Sequence, residues 1–267
     1  MESFQQADHS SCCTLNYFIR LKQIQEVDGA EIIWYHAANS RAKTVEALKG
    51  SAHMIEADIL QDIKSNQPIM AHPPQNESDI TFYDWLNEVL KSDKGIKLDF
   101  KSLEAVGPSI KLLELKKEYL NRPVWLNADI LPGPGGTTSN VVDAQRFLEM
   151  VDSFIPGAVL SLGWTTSFSR DQDNYGYTWE MVKQMQELCK ALQNTITFPV
   201  RAALLPASFL QLQWLLQQSE RYNEGRKPHR KLANYRKKQA RVKYFKAIAK
   251  TEIVLNILCE NHPTLPL

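Results

Sequence analysis

The stretch HMIEAD at residues 53–58 is the most informative part of this sequence about the fold, because it combines a strand pattern with a pair of acidic residues. Apolar residues surround Glu56 and Asp58, which stand two positions apart. Successive side chains of a β-strand point to opposite faces, so residues two apart share a face. The stretch therefore predicts a strand that carries both carboxylates on one face.

Further strand patterns alternate with helical patterns along the chain. Strands are predicted at 30–36, 53–58, 68–72, 96–100, 124–129, 158–163 and 196–204. Helices are predicted between them, one opened by Pro108, one capped by Ser139, and others at 41–49, 81–91, 178–193 and 207–221. Such alternation implies right-handed crossovers and a parallel sheet. Seven strands, with no Gly-x-Gly-x-x-Gly after the first, favour a (β/α)8 TIM-barrel-like α/β fold over a dinucleotide-binding fold.

The C-terminal region departs from this pattern. Residues 223–250 contain eleven Lys and Arg residues and one acid, Glu224, in a chain of net charge +1. They predict a basic helical tail rather than a closing strand; the apolar stretch 253–258 reads equally well as a late strand or as the end of that helix. We expect an N-terminal segment (1–29), a barrel that lacks a normal eighth strand (30–222) and an atypical tail (223–267).

Composition narrows the class of protein. No window of the 267 residues approaches the 18 apolar residues of a membrane span, and the polar N-terminus lacks the pattern of a signal peptide. The four cysteines have no disulfide or zinc spacing, which predicts free thiols and a cytoplasmic protein. The basic tail carries no recognisable nucleic-acid motif, so a solvated helix, or contact with acidic lipid or a protein partner, is expected.

Ionisable and polar residues stand at the carboxyl ends of the predicted strands, where parallel barrels hold their catalytic groups. In chain order they are His36, Glu56 and Asp58, His72, Asp99 with Lys101, Asn127 and Asp129, Trp164, and Arg201. Any one of them alone is more often a cap, a salt bridge or a core residue. Their recurrence at successive strand ends predicts one shared site.

The residue types at these strand ends indicate a metal site. Carboxylates on one inward face repel each other and are costly to bury without a cation. Oxygen ligands such as those of Glu56, Asp58 and Asp99 suit Mg²⁺ or Ca²⁺. His36 and His72 would then serve as general acid and base, and Lys101 would meet an anionic substrate oxygen.

Several blocks of the sequence resemble a known family. The order His, Glu-x-Asp, His, acid-x-Lys is similar to glycerophosphodiester phosphodiesterases among the PLC-like barrels. IIWYHAANS, AHMIEADIL, IMAHPP, GIKLDFKS, WLNADILPGP and SLGWTT resemble the menorin family more closely. The resemblance implies a divalent metal held by Glu56, Asp58 and Asp99, an acid/base pair of His36 and His72, substrate contacts from Asn39 and Lys101, and a role in neuronal development or maintenance, including sensory neurons.

Two positions depart from the phosphodiesterase pattern. Ala37 stands where those enzymes keep a phosphate-binding arginine, and Pro73 stands where they keep an aspartate. Arg201 and Arg41 are the candidate replacements for the arginine. We therefore carry two hypotheses: a metal-dependent phosphodiesterase acting on a glycerophosphodiester or a lysophospholipid headgroup, and a non-catalytic binding protein that keeps the barrel and the metal site.

The LPGPGG segment invites a phosphate-loop interpretation. No Lys-Ser/Thr pair follows the glycines, so this class of nucleotide site is not supported. A mobile active-site loop is expected there instead.

Overall fold

The computed structural model describes residues 14–26, 29–152, 158–169, 173–218 and 254–259. Within them the strands are β1 (Trp34–Tyr35), β2 (Met54–Gln61), β3 (Pro68–Met70), β4 (Gly95–Phe100), β5 (Val124–Pro132), β6 (Val159–Thr165), β7 (Ile196–Arg201) and β8 (Val254–Cys259). The helices are α1 (Thr14–Arg20), α2 (Arg41–Lys49), α3 (Phe82–Val89), α4 (Val106–Leu115), α5 (Ala144–Asp152), α6 (Trp179–Cys189) and α7 (Leu205–Gln217).

The strands form one sheet in the order β1-β2-β4-β5-β6-β7-β8. All pairs from β1 to β7 along this path are parallel, helices α2 to α6 lie between these strands in the chain, and α7 follows β7. The result is an α/β fold with a curled parallel sheet that forms part of a barrel. β1 and β8 stand at opposite ends of the order, so the described strands do not close a full barrel.

The third predicted strand has a different role from the one expected. β3 is a side strand that pairs antiparallel with β2. Only residues 62–67 separate the two strands, whereas a parallel crossover needs a dozen or more. The carboxylate of Asp62 accepts hydrogen bonds from the backbone N–H groups of Lys64 (3.2 Å) and Ser65 (3.0 Å) and so shapes this hairpin turn.

The eighth strand comes from the apolar stretch near the C-terminus. β8 runs antiparallel to β7 over six residue pairs, from Ile196 opposite Cys259 to Arg201 opposite Val254. It therefore differs from the parallel closing strand of a (β/α)8 barrel. The predicted basic helix of residues 223–250 lies outside the described residues.

Helix boundaries follow the local capping residues. Ser40, Thr81 and Thr178 cap α2, α3 and α6 with their side-chain oxygens, as N-cap residues do. Ser139 does not cap a helix, because the residues around it form a short 3-10 turn. α5 begins after Asp143, whose carboxylate accepts from the N–H of Arg146 at 2.9 Å.

The inner strands divide their side chains between two faces. On β2, Ile55, Ala57 and Ile59 are fully buried in the hydrophobic core between the sheet and its helices. Glu56 and Asp58 alternate with them and so lie on the concave face. This strand confirms the alternation that HMIEAD predicts.

Helix α1 fills the other half of the concave face, and the sequence pattern did not predict it. Leu15 and Phe18 form a second buried cluster with Met54, Trp125 and Val159, which begin or nearly begin their strands. The indole Nε1 of Trp125 also donates to the hydroxyl of Thr14, on α1, at 2.9 Å. The amino end of the concave face is therefore apolar and closed, which leaves the carboxyl end for polar groups. Among the described residues, no helix has the length and apolar character to span a membrane.

The packing of α1 gives a stability prediction. Phe18→Ala empties a fully buried position, so we expect the free energy of unfolding to fall by about 3–5 kcal/mol. Asn16→Ala changes an exposed residue of the same helix and should alter it by less than about 0.5 kcal/mol. Urea unfolding of the two variants provides the measurement, and equal stabilities would contradict this role of α1.

A pH-dependent contact joins β1 and β2. Nδ1 of His53 accepts a hydrogen bond from the N–H of Ile33 at 2.9 Å, which requires an unprotonated Nδ1. Burial lowers the pKa of His53 below its ordinary value. A depressed histidine pKa means that the unfolded chain binds the proton first, so stability is lost as the pH falls through the ordinary value of about 6.5.

We therefore expect part of the loss of stability between about pH 7 and about pH 5 to depend on His53. Urea midpoints at a series of pH values should show a shallower slope for His53→Asn than for the unchanged chain. The same slope in both proteins would rule out this contribution.

Candidate metal centre

Matched register lines up polar residues across the concave face. Asp58 of β2 pairs with Asp99 of β4, Asp99 with Asn127 of β5, and Asn127 with Ser161 of β6. Side chains in one register of a parallel sheet point the same way and meet in a layer. The carboxyl half of the sheet therefore carries a continuous polar row.

Three carboxylates meet at one end of this row. Oxygens of Glu56, Asp58 and Asp99 lie within 4.8 Å of one another. Glu56 is 3% exposed and Asp58 is 2% exposed. These are the three acids that the sequence predicted as metal ligands, and the fold brings them together.

Lys101 partly balances the negative charge. Its Nζ lies 2.8 Å from Oδ2 of Asp99 and 3.2 Å from Oδ1 of Asp58. Asp129 and Lys97 also act electrostatically on this group of residues. With these six side chains ionised, four carboxylates face two ammonium groups, which leaves a net charge of −2.

Amide groups fix the orientation of Asp99. Nδ2 of Asn127 donates to Oδ1 of Asp99 at 2.8 Å, and Oδ1 of Asn127 accepts from the hydroxyl of Ser161 at 2.6 Å. The serine thus determines which way the asparagine amide points. Asn127 was predicted to bind substrate, but its side chain is buried and positions a carboxylate.

The turn after β1 holds the two acids of β2. The N–H of Ala37 donates to Oε2 of Glu56 at 2.7 Å. Asn39 makes two bonds to Asp58, from its Nδ2 to Oδ2 (2.6 Å) and from the N–H of Asp58 to its Oδ1 (2.9 Å). Asn39, also predicted to bind substrate, therefore sets the position of Asp58.

The environment shifts the acids in opposite directions. Burial and the neighbouring Asp58 raise the pKa of Glu56, although His36 partly opposes this. Burial alone would raise the pKa of Asp99, but the ammonium groups of Lys101 and Lys97 hold it below its ordinary value. Burial would lower the pKa of Lys101, yet Asp99 and Asp58 keep it well above its ordinary value.

The two histidines lie nearer the surface. The side chain of His36 is 53% exposed, and its Nε2 lies 3.5 Å from Oε2 of Glu56, so a protonated ring forms an ion pair there. His72 is exposed, and its Nδ1 lies 2.6 Å from the carbonyl oxygen of Pro73. It follows Ala71, whose N–H donates to the carbonyl oxygen of Asp58 at 3.1 Å. His72 therefore reaches this end of the sheet from the antiparallel strand β3.

The remaining predicted contacts lie farther along the sheet. Arg201 ends β7, and its guanidinium donates to Oγ1 (3.0 Å) and to the carbonyl oxygen (3.1 Å) of Thr166. Arg41, the other candidate for the missing arginine, binds Asp84 and the carbonyl oxygen of Asp79 on the side of α3. Arg201 thus lies at the end of a strand of the sheet, whereas Arg41 connects helices α2 and α3.

The side chains of Trp164, on β6, and Asp129, on β5, lie on opposite faces of the sheet. Trp164 is 3% exposed and packs with Tyr177 and Phe198 in the core between sheet and helices. The carboxylate of Asp129 lies over Gly163, where a side chain on residue 163 would meet it. Trp164 is therefore on the face opposite to the carboxylates.

The LPGPGG segment is hydrogen-bonded to the residues that follow β6. The N–H of Gly133 donates to the carbonyl oxygen of Thr165 at 2.9 Å, and the N–H of Ser167 donates to that of Pro134 at 3.0 Å. At Gly136 a Cβ atom would collide with the backbone of Thr165. The glycines thus allow close backbone packing, which differs from the loosely held loop that their number suggested.

Three contributors to the site were not predicted from the sequence: Lys97, Ser161 and the backbone N–H of Ala37. Lys97 is buried and pairs in register with Glu56. The place of Lys97 could have been predicted from the stretch KLDFK, because Lys97, Asp99 and Lys101 have the spacing of residues on one face of a strand. Ser161 and the N–H of Ala37 have no such signal, since their roles depend on neighbours distant in sequence.

The opposite pKa shifts predict opposite effects of two amide substitutions in the metal-free protein. Because the pKa of Glu56 is raised in the folded protein, stability is lost as the pH rises above about 4.3, the pKa of glutamate in the unfolded chain. Glu56→Gln should therefore stabilise the protein at pH 7, and less so at pH 4. A lowered pKa at Asp99 means that its contribution is present at pH 7, so Asp99→Asn should destabilise the protein there.

Urea unfolding in the presence of a chelator measures both variants. Glu56→Gln should stabilise because it removes a charge that is buried beside Asp58. Asp99→Asn should destabilise because it removes a charge that Lys101 and Asn127 stabilise. Changes of the same sign at pH 7 would contradict this account of the charges.

Comparison with known proteins agrees with the resemblance seen in the sequence. A family model described as the Menorin N-terminal domain matches residues 28–257. Protein FAM151B of Homo sapiens is 58% identical over 212 residues, which are 78% of this chain and 76% of the human protein. No solved structure gives a significant match. Because the family model covers most of the chain and its match runs into β8, this protein belongs to the menorin family.

Proposed function

We propose that the protein is a divalent-metal-dependent hydrolase of the phosphodiesterase type, acting on a phosphodiester of the glycerophosphodiester or lysophospholipid class. The observation that carries the proposal is the cluster of Glu56, Asp58 and Asp99 on β2 and β4, of which the first two are buried and the third is partly buried. Such a cluster at this end of a barrel sheet is typical of catalytic rather than structural positions. The PLC-like barrel resemblance supports the type of reaction.

The residues of the cluster fit a hard divalent cation. All three ligand groups are carboxylates, which Mg²⁺ and Ca²⁺ prefer. With the three acids, Asp129 and the two lysines ionised, the group has a net charge of −2, which a divalent cation would balance. When bound, such an ion supplies Lewis-acid stabilisation of the charge that develops on the phosphoryl oxygens.

The two histidines are placed to move protons. The carbonyl oxygen of Pro73 only accepts, so the proton of a neutral His72 lies on Nδ1 and Nε2 carries the lone pair. We assign His72 as the base that takes a proton from the attacking water, whose oxygen forms the new bond to phosphorus as the bond to the leaving oxygen breaks. His36 lies beside Glu56, which balances a protonated ring, and we assign it as the acid that gives a proton to the leaving alkoxide oxygen.

Cationic groups would hold the substrate anion. Lys101 already lies between Asp58 and Asp99, where it would contact a phosphoryl oxygen close to the cluster. Arg201, fixed by Thr166 at the end of β7, is the candidate for the charge that is lost at position 37. Asp129 and Trp164, on the neighbouring strands β5 and β6, stay proposed substrate contacts, although Trp164 lies in the core.

The family resemblance also motivates a biological proposal. We propose that the protein acts in the cytoplasm during development or maintenance of neurons, including sensory neurons. Removing it from cultured neurons should shorten their survival, and the unchanged protein should restore it. Rescue by His36→Ala with equal efficiency would separate this role from catalysis.

A second function is favoured by one specific observation. Ala37 stands at the position of the phosphate-binding arginine, and its backbone N–H is engaged with Glu56. A barrel that keeps the metal ligands without this charge could bind a ligand or protein partner without turning it over. Metal binding by the protein, with no hydrolysis of any tested diester, would support this alternative.

Hydrolysis and metal affinity of the full chain test the main proposal. With Mg²⁺ or Ca²⁺, we expect release of the alcohol from glycerophosphodiesters or lysophospholipids. His36→Ala and His72→Ala should each lower kcat by about 10²–10⁴-fold while metal affinity is kept. Calorimetry should show that Glu56→Gln weakens metal binding at least about tenfold, because it removes a charged ligand.

Glu77→Gln is the matched control, since Glu77 is an exposed carboxylate paired with Lys64 outside the cluster. It should leave both kcat and metal affinity unchanged. The proposal fails if no diester is hydrolysed and Glu56→Gln binds the metal as the unchanged chain does.

A further inference from the structure

The turn that follows β1 contacts both acids of β2, and Ala37, its second residue, does so through the backbone alone. Ala37 donates its N–H to Oε2 of Glu56 at 2.7 Å, and two residues later Asn39 brackets Asp58 with its side-chain amide. Ala37 offers this cluster no side-chain polar group. Its contribution depends only on the direction of its N–H.

The backbone of Ala37 has an unusual conformation. Its φ is 57°, in the left-handed region that places Cβ of an L-residue close to the carbonyl oxygen. Such conformations persist where the surrounding structure over-determines them, and they concentrate at functional sites. The other described non-glycine residues with positive φ are Lys22 and Asn66, which are exposed turn residues.

Strong contacts on the following residue hold the turn. The N–H of Ala38 donates to the carbonyl oxygen of Glu56 at 2.9 Å. The carbonyl oxygen of Ala38 accepts from Nε1 of the fully buried Trp85 at 3.1 Å. Ala38 is thereby tied to β2 and α3, and the left-handed step before it directs the N–H of Ala37 to the Glu56 side chain.

We propose that Ala37 is a positioning residue, whose left-handed backbone fixes the carboxylate of Glu56 for cation binding. A hydrogen bond from N–H to a carboxylate is short and charge-assisted, and it limits rotation of the acid. Supporting contacts of this kind typically change metal affinity by 10–100-fold. The inference rests on the proposed function only in taking Glu56 as a metal ligand.

Replacing single backbone amides by esters tests the proposal directly. Lactic acid in place of Ala37 keeps the methyl group and removes the N–H that faces the Glu56 side chain. Lactic acid in place of Ala38 removes a bond of similar length to the same residue, but to its backbone oxygen, and it keeps the bond from Trp85 to the carbonyl oxygen of residue 38 that ties the turn to α3. We expect Mg²⁺ or Ca²⁺ affinity, measured by calorimetry, to fall at least about tenfold for the ester at 37 and by less than about threefold for the ester at 38.

Crystal structures of the two ester proteins give a readout that needs no metal. The Glu56 carboxylate should move in the ester at 37 and stay in place in the ester at 38. A chain that binds no divalent ion would sink the proposed function, and the crystal structures would still decide the role of Ala37. An unmoved Glu56 in both, or equal losses of affinity, would overturn the proposal.

Two ordinary amino-acid substitutions at position 37 give a second test if an ester protein does not fold. Ala37→Gly keeps the N–H and suits positive φ, so metal affinity should stay within about threefold. Ala37→Val keeps the N–H but disfavours the left-handed region through its branched side chain, so affinity should fall at least about tenfold. Equal affinities of these two variants would contradict a role for the backbone conformation.

Discussion

Three clustered carboxylates on the concave face, two buried and one partly buried, are the constraint on which the rest of the structure depends. Like charges in a low-dielectric site repel each other and lose their hydration, so each needs compensating contacts. Lys101 pairs with two of them, Asn39 and Asn127 donate to Asp58 and Asp99, and the backbone of Ala37 donates to Glu56. Three segments supply these contacts: the turn after β1, which holds both Ala37 and Asn39, the residue after β4, Lys101, and β5, which holds Asn127. The cluster therefore links the ends of β1, β2, β4 and β5.

The scaffold confines this polarity to one end of the sheet. Alternation along β2 sends Ile55, Ala57 and Ile59 into the core behind it, where apolar burial stabilises the fold. At the opposite end of the concave face, α1 inserts Leu15 and Phe18 against the strand beginnings. Among the described residues, the polar groups of the concave face thus lie at its carboxyl end, which is where the proposed phosphodiester would bind.

Much of this arrangement was predictable because it is periodic. The i, i+2 spacing of Glu56 and Asp58, and the recurrence of Asp99 and Asn127 at later strand ends, follow from the geometry of a parallel sheet. The third strand was predicted as a member of the parallel sheet, and this was wrong, because a strand pattern does not carry its direction. Only six residues separate β2 and β3, too few for a parallel crossover. The antiparallel pairing of β8 and the docking of α1 were missed because both depend on segments far apart in sequence.

The sequence by itself determined the fold class, the family resemblance and the identity of the three acids, because strand alternation and short motifs are local properties. Only the tertiary structure decided what each polar residue contacts. It showed that Asn39 and Asn127, which were expected to contact substrate, donate hydrogen bonds to Asp58 and Asp99, and it placed Trp164 in the core. It also gave a role to the N–H of Ala37, which no side-chain pattern can reveal, because a backbone donor acts through its direction and that direction is set by the packing around it.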